Sequence, residues 1–78
     1  MKPQDQYLKF VRWEPEDGLY VGYCPDLFPW GGACHGDSEE DTYHKLRQLV
    51  ADEVEQLQSK GEPLPAPRTR PMKEAVPA

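Results

Sequence analysis

The feature that most constrains the fold is one long helical segment with clear start and stop signals. Ser38 is a favourable N-cap residue, and the acidic residues 39–41 follow it, where the helix dipole favours negative charge. Apolar residues then recur with a period near 3.6, at Tyr43, Leu46, Leu49, Val50, Val54 and Leu57. Gly61 is a typical C-terminal cap and prolines follow it, so the spacing predicts one helix over 38–60.

Two segments before the helix predict a β-hairpin. Over 7–13 and 19–24, successive side chains alternate in the way that suits a strand with two different faces. The residues between these segments end in Asp17-Gly18, and glycine readily adopts the positive φ that hairpin turns require. The two segments are therefore expected to pair antiparallel.

A third strand completes the predicted sheet. Pro25 has no N–H to donate and ends the second strand, and a short third strand fits at 32–35 before the helix begins. The sequence therefore predicts an α+β fold in which a three-stranded antiparallel sheet is followed by one long helix (βββα). A short fourth strand fits at 68–76.

The chain is long enough for one small domain. We assign residues 1–61 to that domain and residues 62–78, which contain five prolines, to a tail that is extended or disordered. A domain of this size buries only about 60% of the surface that its unfolded chain exposes. Its stability is expected to be marginal, which predicts a homo-oligomer or a protein partner.

The charge distribution argues against nucleic acid as a partner. The net charge is −5 over the chain, and residues 1–60 hold six Lys and Arg against twelve Asp and Glu. Such an acidic body repels phosphate backbones, so a basic protein is the complementary partner and no direct DNA binding is expected. The apolar runs are too short for a membrane span or a signal peptide, which predicts a cytoplasmic protein without membrane association.

The residues that could carry chemistry are poorly spaced for it. Cys24, Cys34, His35 and His44 are residue types that bind zinc, but their spacing matches no common zinc pattern, and neighbours on a strand point to opposite faces. A cysteine nucleophile beside a histidine would need a substrate pocket, for which one helix on one sheet leaves little room. We therefore expect no enzyme activity, catalytic residue, cofactor or metal site. In a reducing compartment the two cysteines are expected to be free thiols, with a disulfide between Cys24 and Cys34 across paired strands as the alternative.

Four short motifs occur in a fixed order along the chain. They are Asp17-Gly18 before an aromatic strand, Pro25-Asp26-Leu27 after it, Gly36-Asp37-Ser38-Glu39-Glu40 at the helix start and Gly61-Glu62-Pro63-Leu64-Pro65 at its end. As a set they resemble the HicB-like antitoxin family. The resemblance implies a truncated RNase H-like fold and a role in masking a small basic toxin of the HicA type, which cleaves mRNA.

Three segments differ from the usual pattern of that family. The loop 28–32 is longer and more aromatic than the family's tight Pro-Gly-Cys segment, and Thr42 followed by Tyr43 stands where alanine is common. Many members carry a C-terminal DNA-binding segment, which the residues after Gly61 could not form. RNase H-type catalysis needs clustered carboxylates, beginning with one on the first strand, and residues 7–13 contain none. We therefore expect toxin binding without nuclease activity or autonomous DNA binding.

The candidate partner-binding residues are aromatic and acidic: Trp13, Glu14, Glu16, Asp17, Tyr20 and Trp30. Because the helix covers one sheet face, some aromatic side chains are expected to face outward, and Trp and Tyr dominate protein-interface hot spots. The acidic residues of the turn would steer a basic toxin toward this surface. The alternative is a stand-alone homodimeric structural or regulatory protein of the same fold, with no toxin partner.

Overall fold

A computed structural model of the chain describes residues 2–68. In this range it contains the strands β1 (Phe10–Glu14), β2 (Leu19–Tyr23) and β3 (Cys34–Gly36), followed by the helix α1 (Glu39–Ser59). The strands form an antiparallel sheet in the order β1-β2-β3, and α1 packs against one face of that sheet. The α+β class and the βββα order predicted from the sequence are confirmed.

The hairpin turn between β1 and β2 is closed by two hydrogen bonds to one carbonyl. The oxygen of Glu14 accepts from the N–H of Asp17 at 3.2 Å and from the N–H of Gly18 at 2.9 Å. Gly18 has a φ of 65°, the left-handed conformation that the sequence predicted for this position. The turn sets the register in which Trp13 lies opposite Tyr20.

The first strand begins later than the predicted start of 7–13. Pro3–Gln6 form a 3₁₀ turn, and the Nζ of Lys9 holds the following segment by donating to the carbonyls of Gln4 and Tyr7, at 3.0 and 3.1 Å. Tyr7 is buried and belongs to the core instead of the sheet. The predicted start is wrong because Tyr7 packs in the core and residues 7–9, which follow the 3₁₀ turn, do not pair with another of the described strands.

Both ends of α1 follow the predicted signals. The Oγ of Ser38 accepts from the N–H of Asp41 at 3.1 Å, so Ser38 is the N-cap. At the other end Gly61 has a φ of 72°, and the N–H of Glu62 donates to the Leu57 carbonyl at 2.9 Å. The predicted helix bounds are confirmed.

The buried stripe of α1 differs from the predicted one. Its buried residues are Thr42, Leu46, Val50 and Val54. Leu46, Val50 and Val54 belong to the predicted apolar stripe, whereas its members Tyr43 and Leu49 are 39% and 36% exposed and lie at the edge of the buried face. Thr42 takes the core position beside them because its hydroxyl donates to the Ser38 carbonyl at 2.7 Å, which satisfies the buried oxygen.

Two glycines allow α1 to lie close to the sheet. A Cβ atom on Gly22 of β2 would lie 3.3 Å from Leu46 Cβ, and one on Gly36 of β3 would lie 2.6 Å from Thr42 Oγ1. A larger residue at either position would push the helix away from the sheet. The strand β3 therefore ends on the glycine under Thr42, which places it later than the predicted 32–35.

The core lies between α1, the segment after β2 and the chain beyond the helix. Its buried apolar members are Tyr7, Cys24, Leu27, Leu46, Val50 and Val54. The partly buried residues Val11, Phe28, Ala33, Cys34, Leu57 and Leu64 pack against them. Because Leu64 follows the helix, the chain after Gly61 contributes to the core.

Residues 62–68 run back along the domain without regular secondary structure. The Tyr7 hydroxyl donates to the Pro65 carbonyl at 2.6 Å, and the N–H of Arg68 donates to Asp26 Oδ2 at 3.2 Å. These bonds join the segment to residues at the start and in the middle of the chain. The fourth strand predicted at 68–76 lies outside the described residues, apart from Arg68.

Removing the Tyr7 hydroxyl is expected to loosen residues 62–68. The substitution Tyr7→Phe keeps the buried ring but removes the bond to Pro65, which should lower the free energy of unfolding by about 1 kcal/mol. Urea denaturation measures that loss, and amide hydrogen exchange should rise in 62–68 more than in α1. Tyr43→Phe, which alters an exposed tyrosine, is the control, and equal losses in both variants would contradict the role of the bond.

The same variant has a second readout at alkaline pH. Burial raises the pKa of the Tyr7 hydroxyl above its ordinary value of 10.0, so folding favours the neutral phenol. This preference stabilises the folded protein at a pH below the ordinary tyrosine pKa of 10.0, and the stabilisation is lost as the pH rises through the pKa of Tyr7 in the folded protein. Tyr7→Phe should therefore be less sensitive than the parent protein to a pH above about 10.

Candidate protein-interaction surface

The strand register decides which aromatic residues share a face of the sheet. Trp13 lies opposite Tyr20, and Val11 lies opposite Gly22, whose Cα faces the helix residue Leu46. Residues directly opposite each other in an antiparallel pair project to the same face, and alternate residues of one strand do so too. The helix-covered face of the hairpin therefore includes Val11, Trp13 and Tyr20.

Trp13 and Tyr20 form an aromatic pair at the hairpin end of that face. Their ring centroids are 5.0 Å apart in an edge-to-face arrangement, and Trp13 is 49% exposed. The helix covers Gly22 but leaves half of this indole in water. A large apolar side chain that is fixed by a neighbouring ring and half exposed has the properties of an interface anchor.

A groove between β1 and α1 continues from Trp13. Its volume is about 440 Å³, and it is lined by Val11, Glu39, Glu40, Tyr43, His44 and Arg47. Val11 forms its floor two residues before Trp13 on the same face of β1. Tyr43, which the sequence placed in the core, presents its exposed ring to this groove.

Acidic side chains are exposed at the hairpin end of the sheet. Glu16 and Asp17 are exposed in the hairpin turn, and Glu39 and Glu40 are exposed in the first turn of α1. The turn and the helix start lie at the same end of the sheet, because Gly36 at the end of β3 pairs with Tyr20 near the turn. We call this set the hairpin-end surface: Trp13, Glu16, Asp17, Tyr20, Glu39, Glu40 and Tyr43.

Three members of the hairpin-end surface are absent from the sequence prediction. The sequence assigned Glu39 and Glu40 to helix capping and Tyr43 to the buried stripe. The polar Thr42 was the signal for the helix rotation, since its local bond to Ser38 makes it compatible with burial. With Thr42 facing β3, Tyr43 turns toward the β1 side of the helix.

Glu14, a predicted partner residue, is engaged within the sheet on the opposite face from Trp13. Its Oε2 accepts from the Tyr23 hydroxyl at 2.8 Å and lies 3.2 Å from Arg12 Nε. The bond to Glu14 raises the pKa of the Tyr23 hydroxyl. Glu14 therefore contributes less to an outward surface than Glu16 and Asp17, whose side chains are exposed.

Trp30 is also separated from Trp13 and Tyr20. It lies in the loop that follows the other end of β2, where its ring is edge-to-face with Phe28 at a centroid distance of 5.6 Å. It is 75% exposed, whereas Phe28 packs against the core. The six predicted partner residues therefore divide among the hairpin end, the far loop and the open sheet face.

The sheet face away from the helix carries side chains that partly cover one another. Phe10 stacks on Tyr23 with centroids 5.0 Å apart and ring planes 17° apart. A Cβ atom on Gly32 would lie 2.5 Å from Val21 Cγ1, so the loop before β3 passes close to this face. Together with the polar Arg12 and Glu14, these contacts leave a small, mixed surface there.

The two cysteines are free thiols in apolar surroundings. Cys24 is fully buried, and Cys34 Sγ is 3.6 Å from the Thr42 carbonyl oxygen. Burial raises the pKa of both thiols, which favours the protonated form over the reactive thiolate. His35 lies opposite Val21 on the other face from Cys34, the separation expected for neighbours on a strand.

Within residues 2–68, no three His, Cys, Asp or Glu side chains are arranged to hold a metal ion. The same part of the chain contains no helix with the length and apolar character needed to cross a bilayer. The groove at the hairpin end is open and flanked by exposed charges, a form suited to another protein surface more than to an enclosed small molecule.

The chain was compared with protein-family models, curated proteins and solved structures, and no match was found in any of the three comparisons. The interpretation of the surface therefore rests on its own residues. Those residues combine the half-exposed Trp13 with exposed carboxylates in the hairpin turn and in the first turn of α1.

Proposed function

We propose that this chain is a cytoplasmic HicB-like antitoxin domain that neutralises a small, basic, mRNA-cleaving toxin of the HicA type by binding it. The observation that carries the proposal is the half-exposed Trp13, which lies edge-to-face with Tyr20 at the end of the sheet where the acidic hairpin turn and helix start are also located. The order of motifs that resembles the HicB-like family, including a truncated RNase H-like fold, supports the same proposal. The chain acts by covering the toxin and carries out no reaction itself.

The two parts of the hairpin-end surface have different physical roles. The carboxylates of Glu16, Asp17, Glu39 and Glu40 are exposed, so their attraction for a basic partner acts at long range and mainly raises the association rate. The Trp13 ring lies in a position to be buried on contact, which mainly slows dissociation. Steering and anchoring therefore come from neighbouring residues of one surface.

Nuclease activity and direct DNA binding form no part of the proposal. The strand β1 extends to Glu14, so it does carry one carboxylate, which the predicted strand 7–13 lacked. This carboxylate is bonded to Arg12 and Tyr23, whereas RNase H-type chemistry needs several carboxylates around metal ions. The acidic residues at the hairpin end would also repel a phosphate backbone.

Capture of the partner tests the proposal directly. A tagged copy of the full chain, expressed in the source cell, should recover a small basic protein that inhibits growth when it is produced alone. Co-expression of this chain should restore growth. The antitoxin function would be contradicted if no basic protein is recovered. It would also be contradicted if the recovered basic protein does not inhibit growth when it is produced alone.

Charge reversal in the hairpin turn should slow association with that partner. Glu16→Lys combined with Asp17→Lys should reduce the association rate by about tenfold at low salt and flatten its salt dependence, with little change in the dissociation rate. Surface-binding kinetics at several salt concentrations measure both rates. Glu14 is left unchanged because it supports the sheet.

The matched control places the same charge change at the other end of the molecule. Asp52 and Glu55 are exposed in the second half of α1, and their replacement by lysine alters the net charge equally. If the two double variants slow association to the same extent, the steering is a property of net charge and not of the hairpin-end surface.

The alternative function, a stand-alone homodimeric structural or regulatory protein, is favoured by a different observation. In the part of the chain that the structure describes, no strand pairs with the outer edge of β1. Capture of a second copy alone, with no basic protein, would favour this alternative.

A further inference from the structure

The two edges of the sheet differ in their capacity to accept another strand. The edge strand β3 has three residues, and the Lys45 Nζ from α1 donates to the His35 carbonyl at 3.1 Å beside it. The edge strand β1 has five residues and contains no proline. Short length and a nearby lysine protect an edge from pairing, so within residues 2–68 the edge open to a further strand is β1.

We propose that β1 pairs antiparallel with β1 of a second copy of this chain, about a two-fold axis that passes beside Trp13. The pairing joins two sheets into one continuous six-stranded sheet with both helices on the same face. It goes beyond the proposed function, because it concerns the protein before any toxin is bound: the pairing buries Trp13, so the dimer must dissociate before that residue can anchor a toxin.

Charge complementarity within β1 selects this register. With Trp13 on the axis, Arg12 of each copy lies directly opposite Glu14 of the other, on the face away from the helices. Opposite charges facing each other across a strand pair are stabilising, and like charges are destabilising. An axis at Arg12 would instead set the two guanidinium groups opposite each other, which disfavours that register.

The existing bond between Arg12 and Glu14 prepares both groups for this pairing. Arg12 Nε lies 3.2 Å from Glu14 Oε2 within one chain, and the Tyr23 hydroxyl fixes the same carboxylate at 2.8 Å. The two charged side chains of β1 are therefore held on one face before association, which reduces the entropy lost on pairing.

The helix side of the same register buries the exposed aromatic residues. Each Trp13 lies opposite Trp13 of the other copy, and aromatic pairs are among the favourable cross-strand contacts. The two β2 strands are separated by three strand spacings, roughly 14 Å, which is wider than the distance of directly packed helices, about 8–10 Å. Trp13 and Tyr43 of both copies border this gap and supply the apolar surface that fills it.

A charge-swap experiment tests the pairing. Analytical ultracentrifugation of the full chain at high micromolar concentration should give a dimer. Arg12→Glu should raise the dimer dissociation constant by at least about tenfold, because two facing pairs become repulsive. Glu14→Arg should do the same, and the double variant R12E/E14R should restore dissociation to within a few-fold of the parent protein.

Controls separate the interface from effects on the fold. Lys60→Glu makes the same charge change at the exposed end of α1 and should leave the dimer unchanged. Because Glu14→Arg also removes the bond to Tyr23, circular dichroism should verify the fold of each variant, and Arg12→Glu keeps that bond. Amide exchange of residues 11–14 should slow as the protein concentration rises.

A monomer at high micromolar concentration would overturn the inference. A dimer that survives both single substitutions would move the interface away from β1, and a double variant no better than the single ones would overturn the pairing of Arg12 with Glu14. The antitoxin proposal is judged separately, since the monomeric R12E variant keeps the hairpin-end surface and should still capture a basic partner.

Discussion

Leu46→Ala is expected to lower the free energy of unfolding by about 3 kcal/mol. Leu46 is fully buried and packs against Gly22, one of the two glycines at which the helix lies close to the sheet. Removing its side chain leaves a cavity between the helix and the sheet, and these two rigid elements can move little to fill it. A domain of this length has a total stability of roughly 4–12 kcal/mol, so the variant should be partly unfolded at physiological temperature.

Leu49→Ala is the matched control for this prediction. Because it is the same substitution, three residues further along the same helix, the change in helix propensity is equal in the two variants. The Leu49 side chain is 36% exposed, whereas Leu46 is fully buried. Its loss should be under about 1 kcal/mol in urea denaturation followed by circular dichroism. Equal losses in the two variants would mean that the helix is rotated relative to the arrangement described here.

Trp13→Ala is expected to weaken binding of the toxin partner by about 2 kcal/mol or more, mostly through faster dissociation. The indole is held against Tyr20 and bordered by exposed carboxylates, so a basic partner drawn to this surface buries it. The rate constants can be measured on immobilised partner recovered from the source cell. The fold should survive, because half of the side chain is already in water.

Trp30→Ala provides the comparison. Trp30 is more exposed than Trp13, but it lies in the loop after β2, away from the turn and the helix start. If exposure alone made a hot spot, Trp30→Ala would weaken binding more than Trp13→Ala. If the acidic residues at the hairpin end are also needed, Trp13→Ala would have the larger effect. A larger effect for Trp30→Ala would place the partner on the far loop and contradict the hairpin-end surface.

Local signals in the sequence were enough for the elements of secondary structure. Ser38 and Gly61 define the ends of the helix through bonds made within a few residues, and Gly18 does the same for the hairpin turn. Such bonds form in the same way wherever the segment is placed, which is why their residue types are informative. The βββα order follows from these signals.

The composition of the candidate surface depended on contacts between distant residues. The sequence predicted six partner residues, but it could not tell that Glu14 would be bonded to Tyr23 or that Trp30 would lie at the opposite end from Trp13. It also placed Tyr43 in the core. Each of these outcomes follows from strand register or helix rotation, which alternation within a segment does not determine.

The sequence by itself determined the helix bounds, the hairpin turn, the α+β class and the acidic character of the chain, because each depends on residue type over a short span. The periodicity also indicated that Leu46, Val50 and Val54 face the core, but only the tertiary structure decided how α1 is rotated against the sheet, with Thr42 buried and Tyr43 exposed. Gly36 admits Thr42 beneath the first turn, and Gly22 admits Leu46, so the helix settles with Tyr43 toward β1. That rotation places Tyr43 and the carboxylates of the helix start in the groove beside β1, the strand that carries Trp13. The rotation of the helix is set by its packing against the two glycines of the sheet, and no local sequence pattern specifies such packing.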